Sequence, residues 1–146
     1  MIQFNGYYIE EPIEIYDRRL KGNKSSYSFN SFLFLKGGEV RIAAKHDFLM
    51  YLSDFKEIDF NGDLVLKKRF NITQNKIIIE KMFSFEDEIT IEIIDSDKLY
   101  LKNTHKHLYF VSWDKVKKLE STKFENSIIN NLFGPFQHKK FSIYYE

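Results

Sequence analysis

The chain contains no cysteine among its 146 residues. Disulfides, thiolate nucleophiles and Cys-based zinc or iron–sulfur centres are therefore excluded. It also lacks a charge imbalance. Its 22 basic and 21 acidic residues leave a formal charge of +1, which gives no long-range field to draw in nucleic acid or an anionic membrane. Local basic patches remain, as at Lys115-Val116-Lys117-Lys118. No apolar run approaches the roughly 20 residues of a membrane-spanning helix. Met1-Ile2-Gln3-Phe4-Asn5-Gly6 has neither the basic segment nor the apolar stretch of a secretory leader. The expectation is a soluble, cytoplasmic protein with no nucleic-acid partner, no membrane partner and no cofactor.

What the chain does have is aromatic residues: 15 Phe and 9 Tyr beside a single Trp, 17% in all. A disordered chain would not carry so many. The length suits one domain spanning 1–146, with room for a real core. Strand-like runs alternate with tight polar turns. Phe29–Leu35 and Val40–Ala44 flank Lys36-Gly37-Gly38-Glu39. Phe70–Thr73 and Ile77–Phe83 flank Gln74-Asn75-Lys76. Ile89–Ile94 and Leu99–Asn103 flank Asp95-Ser96-Asp97-Lys98. The turns have hairpin chemistry and their flanks are β-branched or aromatic. Further short strands are expected at 4–9, 13–19, 64–66, 108–113 and 140–145. Nine or ten strands in an antiparallel meander predict an all-β fold, a small closed barrel with one or two short helices. One helix is expected over 47–55, with Asp47 as its cap. The other is expected over 122–133, where Thr122 and Glu125 form a capping box and Gly134-Pro135 ends it.

Four stretches carry a resemblance. They are the Gly-x-Tyr start at Gly6-Tyr7-Tyr8, the aromatic hairpin from Phe32 to Val40, the hairpin from Arg69 to Ile77, and the one from Ile91 to Leu101. In that order, with a late helix and a final strand, the chain resembles small bacterial lipocalin-like domains of the calycin group. It departs from them at Tyr8, where lipocalins carry Trp. It also lacks their acidic loop motif and their late Arg. The resemblance implies a barrel with an internal apolar cavity and no fixed ligand. Fold alone does not set function.

Chemistry-bearing residues are sparse. His105 and His107, two apart, would face the same way on a strand and are the candidate metal ligands; the alternative is a solvated turn over 103–107, and no metal is expected. Glu80 and Glu92 interrupt Ile-rich runs, and period-2 alternation turns them toward water. Ser28, Ser31 and Ser112 lack a nucleophile's setting. Strand 29–35 is apolar on both faces, so one face needs a cover: helix 122–133 or a partner chain. The expected function is a non-enzymatic binding protein that holds a small hydrophobic ligand in the barrel. Phe70 would line the cavity, and Arg41, Arg69 and Tyr100 would orient the ligand. Arg41 takes the lumen only if Val40 and Ile42 face outward; the favoured alternative is that Arg41 is simply exposed, since charged groups are rarely buried unpaired. The alternative is an interaction module, with a homodimer as its partner form, that has a filled core and an aromatic outer face including Phe32. A metal-dependent enzyme is the least supported reading.

Overall fold

The computed structural model describes residues 1–11, 13–17, 25–48, 59–81, 88–115 and 140–143. Ten strands are present: β1 Gly6–Glu10, β2 Ile13–Asp17, β3 Ser25–Leu35, β4 Glu39–Phe48 and β5 Leu66–Thr73, followed by β6 Lys76–Ile79, β7 Ile89–Asp95, β8 Lys98–Leu101, β9 Lys106–Ser112 and β10 Lys140–Ile143. From β3 to β9 each strand pairs antiparallel with the next, and β1 joins both β3 and β9. The result is a closed eight-stranded antiparallel barrel with almost no helix among the described residues. Closure removes the unpaired edges that an open meander would expose.

β3 is long enough to serve two neighbours. Its later half pairs with β1 at Ser31 and Phe32, and its first residues pair with β2. β10 lies parallel beside β2. The turns follow from local chemistry. Gly37 and Gly38 take φ of +110° and +94°, a region closed to most side chains. Asp95 Oδ1 accepts the Asp97 N–H at 2.8 Å in the β7–β8 turn, an Asx-type closure. Gly6 has a different role. A Cβ there would fall on the Val111 carbonyl oxygen and the Phe110 ring, so only glycine lets β1 and β9 pack this closely.

Alternation sorts side chains between lumen and outer wall. Tyr8, Phe32, Phe34, Val40, Ile42, Phe70, Ile77, Ile79, Ile89, Ile91, Leu99, Leu101 and Leu108 share one buried cluster with Ile2. Each such apolar side chain contributes about 1.5–3 kcal/mol on burial. The outer wall over β1, β3, β4 and β9 carries its own buried layer: Tyr7, Ile9, Phe29, Leu33, Ala43, Val111 and, from the loop before β5, Phe60. The two-faced burial expected for strand 29–35 is therefore observed. Its polarity differs from expectation at Phe32, which lies in the lumen. Tyr8 opposite it, and Ile42 across β4, set that register.

A second difference concerns residues 47 and 48. They continue β4, so Asp47 does not cap a helix; pairing with β3 at Tyr27 extends the strand this far. The rest of 47–55, the helix at 122–133, and Met82 with Phe83 lie outside the described residues.

Candidate functional site

The lumen has two unlike ends. The tight turns at 36–38, 74–75 and 96–97 mark one of them. There the Tyr8 hydroxyl donates to the Ser96 carbonyl at 2.8 Å and accepts the Gln3 N–H at 2.9 Å. Burial pushes its pKa up to about 12, opposed by the Gln3 N–H and helped by the carboxylates of Asp97 and Asp95. Gln3 Nε2 donates to Asp97 Oδ1 at 2.7 Å, pinning the N-terminal segment across this end.

The other end, where β1 finishes and β9 begins, contains charge. Glu10 follows Tyr8 by two residues, and Lys106 precedes Leu108 by two, so period-2 alternation turns both inward. Their side chains meet at 3.5 Å, Lys106 Nζ to Glu10 Oε1. The residues are 3% and 9% exposed. Asn30 Nδ2 donates to the same oxygen at 3.2 Å. Burial raises the Glu10 pKa; the Lys106 charge and the hydrogen bonds from Lys106 and Asn30 pull it back. Asn30 is half-buried and Ala44, its cross-strand partner, is exposed. Leu66, paired with Ile42 on the lumen side, is 43% exposed. Exposure therefore grades from Ala44 through Asn30 to the sequestered carboxylate. Charged groups are rarely buried like this unless paired, and such a pair adds little stability against an apolar equivalent.

The residues singled out from sequence fall elsewhere, with one exception. Phe70 lies in the lumen, edge-on to Phe34 at 5.1 Å. Val40 and Ile42 also face inward, so Arg41 faces out. Its Nε is 3.2 Å from Glu39 Oε1, and its Nη1 donates to Asn61 Oδ1. Arg69 is exposed on the outer wall, next to inward-facing Phe70; its backbone N–H donates to Glu80 Oε1 at 3.1 Å. Tyr100 lies between lumen residues Leu99 and Leu101 and so faces outward, with its hydroxyl 3.1 Å from His105 Nδ1. His105 and His107 do not act as a strand pair. His105 sits in the β8–β9 turn with φ of 56°, whereas His107 is in β9, 2.8 Å from Glu11 Oε1. Among the described residues no three His, Cys, Asp or Glu side chains are grouped to hold a metal ion. Glu92 points outward as expected, bridging to Lys102 at 2.8 Å, and Glu80 is exposed.

Sequence reasoning missed Glu10 and Lys106. Lys106 stands in a polar run, Asn103–His107, that reads as a turn. The turn ends at His105, and the strand that starts at Lys106 is what sends its side chain inward. The available signal was parity: Leu108 and Lys106 share a face, as do Tyr8 and Glu10.

Fold and site together define a small closed β-barrel with a buried ion pair at one end of its lumen. No family model matches the chain, and no curated protein or solved structure matches it.

Proposed function

We propose that the barrel is a non-enzymatic binding protein that takes a small, largely apolar molecule into the charged end of its lumen, as the lipocalin resemblance implies. One observation carries this reading: the buried Glu10–Lys106 pair, with half-buried Asn30 on the same carboxylate oxygen, beside lumen-facing positions, Ala44 and Leu66, that remain exposed. Ligand sites combine an apolar lining with a few converging polar groups. Here Ile42, Leu101 and Leu108 supply the lining, and the ion pair supplies the polar element. The hairpin end, packed by Phe34, Phe70 and Tyr8, serves as the floor.

Native mass spectrometry of the purified protein tests this directly. The expected result is an added small-molecule mass that vanishes on denaturation and is lost in Ala44→Trp, which plugs the exposed step. A bare wild-type protein that also fails to take up an apolar fluorescent probe would reject the proposal.

One observation favours a second reading, an interaction module. Trp113 is 40% exposed and packs against the Tyr7 ring on the outer wall, tilted to it with ring centroids 5.1 Å apart. Aromatic anchors of this kind concentrate at protein interfaces. A homodimer built on that wall would dissociate in Trp113→Glu, read by sedimentation velocity. A wild type that stays monomeric at high concentration would exclude it.

A further inference from the structure

Building on the binding reading, we propose that the bound molecule carries an uncharged head group able both to donate and to accept a hydrogen bond, an alcohol or a primary amide, seated between Glu10 and Lys106.

The first argument is electrostatic. Glu10 and Lys106 neutralise one another inside the lumen, 3.5 Å apart and both buried. A carboxylate head group reaching Lys106 would also meet Glu10. An ammonium head group reaching Glu10 would also meet Lys106. Either brings like charges together where water does not screen them, and leaves one buried charge uncompensated. A neutral head group adds no net charge to the pair.

The second argument is the hydrogen-bond inventory. An ammonium has three donors and no acceptor. Among the described residues Lys106 Nζ has one hydrogen-bond partner, Glu10 Oε1, at a distance near the upper limit for such a bond. The side-chain donors Asn30 Nδ2 and Lys106 Nζ converge on that one carboxylate oxygen. The pair is thus rich in donors on one side and negative on the other. A hydroxyl accepts from Nζ through its oxygen and donates its own proton to the carboxylate. A primary amide does the same with its carbonyl and its NH₂. A thioether, a halide or a bare hydrocarbon end supplies one of these functions or neither.

The third argument is the setting. Leu101 lies directly across from Lys106 on β8, and Leu108 directly across from Glu10 on β1's partner strand. Ile42 and Leu66 form the apolar step near Asn30 and Ala44. A tail has apolar surface to lie on, while the polar contact is confined to one small group.

The test is calorimetric titration of the wild-type protein near neutral pH with four probes of one chain length: octanol, octanamide, octanoate and octylammonium. The expected result is binding of octanol and octanamide at least about ten-fold tighter than either ion, the scale of one hydrogen bond to a charged group. Octanoate or octylammonium binding as tightly as octanol would overturn the neutral head group and leave the binding reading standing. No binding by any of the four would overturn both. In the double variant Glu10→Gln with Lys106→Met, the preference for octanol over octanoate should shrink by about ten-fold. An undiminished preference would place the discrimination elsewhere and sink the proposal.

Discussion

The two ends of the lumen are made from the same strands by the same alternation, yet they carry different chemistry. At the hairpin end Phe34, Phe70, Val40 and Ile2 pack together, and the Tyr8 hydroxyl satisfies itself on Ser96 and Gln3. At the other end β1 and β9 bring a carboxylate and an ammonium inside. The first arrangement is explained by stability alone. The second is not, because burying an ion pair gives little or no net stability over apolar packing. Proteins tend to break local rules of this kind where a function requires it. This contrast is what supports the proposal that a ligand enters at the charged end.

The largest effect that would sharpen this contrast is removal of one charge. Lys106→Met should cost about 3–5 kcal/mol near neutral pH, because it strands Glu10 in the lumen. Adding Glu10→Gln should recover most of that loss. Urea midpoints of the single and double variants decide the matter. If the double variant is no better than the single one, the cost is packing rather than charge, and the two ends are alike.

Tyr8→Phe at the opposite end should cost less, about 1–2 kcal/mol, by removing a donor to Ser96 and an acceptor for Gln3. It should leave probe binding unchanged. Loss of binding in Tyr8→Phe would mean that the hairpin end takes part in the site.

The smallest effect is a slope. Burial raises the Glu10 pKa in the folded protein above its ordinary value of 4.5. The folded state then holds this proton more tightly than the unfolded chain, so Glu10's contribution is most favourable below pH 4.5. It is lost as pH rises through the raised folded value. Wild-type stability should accordingly fall relative to Glu10→Gln as pH rises from about 4 toward about 7. Parallel curves for the two proteins would show that Glu10 is not desolvated.

Much of the architecture was legible in local chemistry. Gly37-Gly38 and Asp95-Ser96-Asp97 mark turns because few other residues accept those geometries. The Ile-rich runs of β6 and β7 alternate cleanly, so period-2 spacing alone turns Glu92 outward, where it bridges to Lys102. β3 was harder to orient. Apolar on both faces, it offers no polar side from which to tell lumen from wall, and the interaction-module reading puts Phe32 on the wall whereas it lies in the lumen. Arg41 on β4 shares this ambiguity, but the rarity of unpaired buried charge favours leaving it exposed, as the structure does. With β3 inverted, its neighbour β4 inverts as well, because a one-residue change of parity exchanges every side chain between faces.

The sequence by itself left the parallel pairing of β10 with β2 illegible, but it determined where the hairpins turn and that the strands they join pair antiparallel. These depend on backbone preferences and spacing within a few residues. Only the tertiary structure decided that the meander closes through β1, which face of β3 fills the lumen, and that Glu10 meets Lys106, 96 positions away. The reason is physical. Alternation fixes which residues share a face, but only ring closure decides which face is inside, and only the register between β1 and β9 brings those two charges to the same end.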